Sequence, residues 1–117
     1  MDLNWIKIGG VLQSDKPLVP ENKVASLRID GKHLYLTNFK GEYFAGEQRC
    51  PHAGGQLTQG WLDDKGDIVC PLHRFCFDLQ SGQSTDGEGF SVRTYPVEVR
   101  EDGIFIGLPK KRWWQFW

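Results

Sequence analysis

Cys50-Pro51-His52-Ala53-Gly54-Gly55, then Cys70-Pro71-Leu72-His73 after seventeen residues counted from the first histidine, is the stretch that decides how this 117-residue chain reads. Each end of it joins one thiolate donor to one imidazole donor. Two loops of this kind can offer two sulfurs to one iron and two nitrogens to its neighbour. That asymmetry points to an iron-sulfur cluster. Composition alone does not produce the grouping: of three cysteines and three histidines, all but Cys76 and His33 lie within residues 50–73. Each cysteine of the two pairs is also followed by a proline.

The spacing Cys-x-His, seventeen residues, Cys-x-x-His resembles the Rieske family, and Gly54-Gly55 and Pro71 are similar to that family's cluster loops. The resemblance covers roughly residues 3–108. It implies one 2Fe-2S cluster, with Cys50 and Cys70 on a buried iron and His52 and His73 on an outer iron near the surface. The imidazole edges would then be the electron's way out. Gly54 and Gly55, free to take positive φ, would let backbone amides approach the sulfides. Pro51 and Pro71 would stiffen the two loops.

The same resemblance implies a Rieske-type ferredoxin, a soluble protein that passes single electrons from a flavin-dependent reductase to an oxygenase-like acceptor. The small Rieske-like subunit of assimilatory nitrite reductases is also similar across the chain, including Thr94-Tyr95-Pro96-Val97. Some of those subunits lack the ligands, whereas this chain keeps all four. Zinc is the competing occupant, since two cysteines and two histidines also make a closed tetrahedral site in a non-redox binding module. Zinc knuckles, however, usually put both cysteines together and both histidines on a helix. Here each knuckle is mixed and no helical run carries the histidines.

Bulk properties narrow the function further. A chain of this length forms one domain, 1–117, burying roughly two-thirds of its unfolded surface. The formal net charge is -1, which argues against a broad nucleic-acid-binding field. No signal peptide and no transmembrane segment is expected, and the location expected is the cytoplasm. With two cysteines assigned to metal, Cys76 has no intramolecular disulfide partner and reads as a small buried hydrophobe within Phe75-Cys76-Phe77. Ring-hydroxylating oxygenases need a second iron held by two histidines and a carboxylate. After His52 and His73 only His33 is left, and it reads as an exposed residue at the start of a strand. The chain is therefore expected to carry electrons to a catalyst and to have no catalytic residues of its own.

Turn signals recur along the sequence between stretches rich in β-branched and aromatic residues. Asp30-Gly31 joins Val24–Ile29 to His33–Phe39, Lys40-Gly41 leads into Glu42–Gln48, and Asp102-Gly103 joins Val97–Arg100 to Ile104–Gly107. Alternation at Leu34, Leu36 and at Val97, Val99 marks strands with one buried face and one solvated face. Residues 14–22, with Pro17 and Pro20, read as a loop with a short helical turn near its end. The expected fold class is all-β: a Rieske-like antiparallel sandwich or barrel base of about residues 1–48 and 80–117. A cluster-binding subdomain of about residues 49–79, with short strands at 68–70 and 75–78, is inserted in it.

The tail Lys110-Lys111-Arg112-Trp113-Trp114-Gln115-Phe116-Trp117 is not explained by the resemblance. It reads either as a cover for an exposed face of the base, the preferred reading, or as a contact with a partner or a membrane surface.

Rieske centres as a class span about -150 to +300 mV. High-potential members carry an extra cysteine in each loop, which form a disulfide, at the positions filled here by Gly55 and Leu72. They also place serine and tyrosine hydroxyls near the cluster, where this chain has Phe75 and Phe77. Fewer hydrogen bonds stabilise the more negative reduced state, so the midpoint is expected at the low end of the class. Redox potentiometry checks this, and a midpoint above about +100 mV, in the upper part of that range, contradicts it.

Overall fold

Asp30-Gly31 and Lys40-Gly41 each hold two successive residues at positive φ, 52° and 77° in the first pair and 53° and 90° in the second. This is the backbone of the two-residue hairpin turn whose twist matches that of its flanking strands. In the computed structural model of this chain, which describes residues 3–10, 18–50, 55–72, 74–85 and 89–109, these turns build an antiparallel meander. It consists of β2 (Val24–Ile29), β3 (Lys32–Phe39) and β4 (Glu42–Glu47). The short strand β8 (Thr94–Tyr95) extends the meander by pairing with Ala45 and Gly46 of β4.

A second sheet is made of β1 (Leu3–Gly9), β10 (Gly103–Pro109) and β9 (Val97–Arg100), in the order β1-β10-β9. Pro96 is the corner between the two sheets. It cannot donate to a ladder, and it separates Tyr95, paired with β4, from Val97, paired with β10, while its carbonyl accepts from Gly107 N–H at 2.9 Å. The turn between β9 and β10 is Glu101-Asp102, because Gly103 already pairs with Arg100 as the first residue of β10. A third sheet is formed by β5 (Trp61–Leu62), β6 (Asp67–Val69) and β7 (Cys76–Asp78). The architecture is all-β and antiparallel, as the sequence implies. No described helix is long and apolar enough to cross a membrane.

The one-faced burial expected for the third strand is corrected. Leu34, Tyr35, Leu36, Thr37 and Asn38 of β3 are all buried. Leu34 and Leu36 pack in the core shared by the two large sheets, with Ile104, Ile106 and Leu108. Tyr35 points the other way, into a second core with Leu57, Ile68, Phe77, Cys50 and Cys70. A strand covered on both faces has no solvated side. Its buried polar groups are satisfied by the chain on one flank: Thr37 Oγ1 donates to Lys23 O at 2.7 Å and Asn38 Nδ2 to Val19 O at 2.9 Å. Those bonds also anchor residues 18–23, where Lys23 N–H closes a turn on Pro20 O. Residues 14–17 of the expected loop lie outside the described residues, as does the tail 110–117.

Val99 corrects the same expectation in β9. It is 51 % exposed, whereas Val97 packs against the core. β9 is an edge strand of its sheet, and its far end runs past the core towards the 101–102 turn. His33 is exposed opposite Arg28, as expected of a residue at the start of a strand. Cys76 is half-buried, less enclosed than the sequence suggests, because it lies in β7 on the face opposite Phe77.

Gly46 of β4 lies directly against the Tyr35 ring of the second core. A Cβ there would stand 2.6 Å from Tyr35 Cε2 and 2.8 Å from its Cζ. Overpacking a close-packed core costs about 1–3 kcal/mol. Gly46→Ala is therefore expected to lower unfolding stability by about that amount, measured by chemical denaturation. A change within about 0.5 kcal/mol would contradict the packing.

Candidate metal centre

The two motif loops are tips of hairpins, and both are closed in the same way. In the first, Arg49 bridges to Gln56, Leu57 N–H donates to Gln48 O at 2.8 Å, and Cys50 N–H donates to Gly55 O at 2.7 Å. The Gln48 and Gln56 side chains hydrogen-bond across the base of this loop. In the second, Val69 pairs with Cys76, and Cys70 N–H donates to Phe75 O at 2.8 Å. In both loops the cysteine amide thus reaches a carbonyl five residues ahead, so the two sulfurs are presented in equivalent settings.

Cys50 and Cys70 come together at the centre of the second core. Both are fully buried, and their side chains lie within hydrogen-bond reach of each other. Burial pushes the Cys70 thiol up from its ordinary value; the Leu72 backbone N–H pointing at the sulfur opposes this, and the neighbouring Cys50 thiol adds to the rise. A buried thiol whose value is raised becomes a good donor only when a cation displaces its proton. Neither cysteine is in a disulfide. His52, together with Pro51, Ala53 and Gly54, and His73 lie outside the described residues. Of the four candidate ligands, the structure therefore brings together Cys50 and Cys70.

Several features of the site do not follow from the motif. Gly55 is not among the glycines at positive φ, so conformational freedom is not its role. Its role is close approach: a Cβ at this position would lie 3.0 Å from Cys70 Sγ and 3.2 Å from Leu72 Cβ. Bridged cysteines hold their Cβ atoms about 3.5–4.5 Å apart, so positions 55 and 72 are near the separation at which high-potential relatives carry their disulfide. Phe77 is buried in the same core, with Phe75 partly buried beside it and in edge-to-face contact with Phe90 at 6.2 Å. Aromatic rings without hydroxyls thus occupy the two positions that the sequence singles out. Among the described residues, a hydroxyl in this core belongs to Tyr35, which is fully buried and has no described hydrogen-bond partner. Strand alternation gave no signal for it, since Tyr35 lies between Leu34 and Leu36, the residues that mark the other core.

The donor chemistry fits an iron-sulfur centre. Two adjacent sulfurs stand in an apolar enclosure with a backbone amide aimed at one of them, and the side chain facing that sulfur is reduced to a hydrogen at Gly55. Amide hydrogen bonds to sulfur are among the protein's means of tuning such a centre.

Comparison with known proteins agrees. Residues 10–96 match the model of the Rieske 2Fe-2S domain. The chain is 38% identical over 98 residues to the 3-phenylpropionate/cinnamic acid dioxygenase ferredoxin subunit of Shigella boydii, an alignment covering 79% of this chain and 87% of that protein. Its structure is similar to the ferredoxin of carbazole 1,9a-dioxygenase from Nocardioides aromaticivorans, with a TM-score of 0.72 and 25% identity over 86% of this chain and 96% of that one. It also shares its fold with a Mycobacterium tuberculosis protein described as an NADH-dependent nitrite reductase small subunit, at a TM-score of 0.79 and 19% identity, covering 95% and 100% of the two chains.

Gly55→Ala is expected to leave the β fold intact and to reduce iron and acid-labile sulfide per chain, because the added methyl meets Cys70 Sγ. Iron content unchanged from that of the unaltered protein, measured by atomic absorption, would show that the cradle tolerates a side chain. With family model, relatives and fold in agreement, the chain belongs to the Rieske 2Fe-2S domain family and is an electron carrier of the ferredoxin type rather than a catalyst.

Proposed function

We propose that this protein carries single electrons from a flavin-dependent reductase to an oxygenase component in the cytoplasm. Cys50, His52, Cys70 and His73 hold its cluster within a subdomain of about residues 49–79. The observation that carries the reading is the meeting of Cys50 and Cys70, from separate loops, in one fully buried core. Support for the oxygenase side comes from the relatives, which are ferredoxins of dioxygenase systems. The likeness to the nitrite reductase small subunit is one of fold, at half the identity of the dioxygenase ferredoxin subunit.

When bound, the cluster supplies a one-electron couple at nearly constant geometry. The chain's own part begins with enclosure. Leu57, Ile68, Phe77 and Tyr35 keep water from the thiolate end, where low local polarity strengthens the hydrogen bond from the Leu72 amide to the Cys70 sulfur. The Cys50 and Cys70 amides are committed to Gly55 and Phe75 carbonyls, so both loops are braced independently of the metal. Pro71 and Leu72 are exposed, which brings the described part of the second loop's tip to the surface.

Iron, labile sulfide and spectra test this together. Purified protein is expected to be brown-red, to contain iron and sulfide in equal amounts, and to give a Rieske-type EPR signal when reduced. Cys70→Ala is expected to abolish all of these. A colourless protein that binds zinc, or a cluster that persists in Cys70→Ala, would contradict the assignment.

A further inference from the structure

Charge is divided unevenly between the cluster end and the rest of the molecule. From Gln48 to Leu62 the sequence has one charged side chain, Arg49, and from Ile68 to Phe77 it has one, Arg74. The 15 acidic residues all fall elsewhere. Arg49 immediately precedes Cys50 at the base of the first loop, and Arg74 immediately follows His73 in the second. Both arginines are exposed. Among the described residues the ion pair is Arg100 with Glu98, on the far sheet, so no described carboxylate forms an ion pair with either loop arginine.

Arg74 also sits at φ 57°, a left-handed backbone that a long side chain adopts at a cost. Behind Arg49, an open cleft of about 690 Å³ brings in Lys32 and His33. The carboxylate in that cleft, Glu47, is occupied by the Tyr95 hydroxyl at 2.6 Å, and Lys32 Nζ lies 5.9 Å from the Tyr95 ring centroid. The tip is apolar by contrast: Pro71 is exposed, Leu72 is 44 % exposed and Trp61 is 45 % exposed. Trp61 is opposite Val69, which leads directly into Cys70, and so stands at the foot of the second loop.

We propose that the cluster end receives its redox partner on Pro71 and Leu72 of the second loop and Trp61 at its foot, with Arg74 following in that loop and Arg49 and Lys32 at the foot of the first, and that the partner face it fits is acidic at its rim. This deepens the electron-carrier reading and rests on it. Net charge points the other way, at -1 for the whole chain. At about 0.1 M ionic strength, however, charges more than about 10 Å away are largely screened. An approaching partner therefore meets the local cations rather than the sum. Such a rim speeds encounter and rejects basic faces, while the apolar centre supplies the contact area.

The test uses the reduced holoprotein and two small oxidants of opposite charge. One electron passes from the reduced cluster to ferricyanide, giving ferrocyanide, or to hexaamminecobalt(III), giving cobalt(II). With a cationic rim, the ferricyanide rate is expected to fall about tenfold from low to high salt, and the hexaamminecobalt(III) rate to rise. Arg49→Gln/Arg74→Asn, in which asparagine tolerates positive φ, is expected to flatten both dependences with the visible spectrum unchanged. Lys7→Gln/Lys23→Gln, exposed positions away from the loops with the same change in total charge, is expected to leave them as they are. Poly-L-glutamate, a soluble acidic surface, is expected to slow ferricyanide oxidation of the unaltered protein at low salt, and not that of the Arg49/Arg74 variant.

A ferricyanide rate that rises with salt, or equal effects of the two double variants, overturns the rim. So does indifference to poly-L-glutamate. Each of these results is read on protein whose cluster colour is present; a colourless protein overturns the electron-carrier reading instead.

Discussion

Two thiols with no access to water, placed side by side at the tips of two separate hairpins, are the constraint on which the remaining structure depends. Cys50 and Cys70 are fully buried, and burial pushes the Cys70 thiol up, so Cys70 is poorly prepared to ionise without a cation. Such an arrangement is costly to assemble for packing alone. It is sensible as the inner wall of a cofactor site, where binding free energy offsets the assembly of the enclosure.

The β scaffold serves that wall through β3. One face of this strand belongs to the core of the two large sheets, and the other presents Tyr35 to the metal-side core. A shift of β3 by one residue would exchange the two faces. Its register is held by two tight turns, by the buried bonds of Thr37 and Asn38, and by Gly46, whose missing side chain admits the Tyr35 ring. The loops are then stiffened locally by their paired amide-carbonyl closures. The result is a rigid end that changes charge by one electron with little to rearrange. Function is completed at the surface, where Pro71, Leu72 and the two loop arginines meet solvent.

Much of this was legible in the sequence, for physical reasons that differ from place to place. The hairpins could be placed because Asp30-Gly31 and Lys40-Gly41 are residues that accept positive φ, a local requirement. The meeting of Cys50 and Cys70 could be anticipated because few donor sets use mixed thiolate-imidazole pairs. The double burial of β3 was not legible, since His33, Tyr35 and Thr37 alternate with Leu34 and Leu36 as a solvated face would, until the partner of Thr37 at Lys23 is known. Gly55 was misread as a conformational device, because closeness to Cys70 Sγ depends on a residue fifteen positions away. Val99 followed the alternation of a buried strand, yet its strand is an edge, a property of topology rather than of period.

The central claim is that one cluster takes sulfur from Cys50 and Cys70 at its inner end and nitrogen from His52 and His73 at its outer end. Electron-nuclear double resonance on the reduced protein, grown with nitrogen-15 histidine, measures this directly. Strong couplings from two inequivalent histidine nitrogens are expected, one of them lost in His73→Ala or in whatever cluster that variant retains. A reduced cluster showing no histidine nitrogen coupling would contradict the claim.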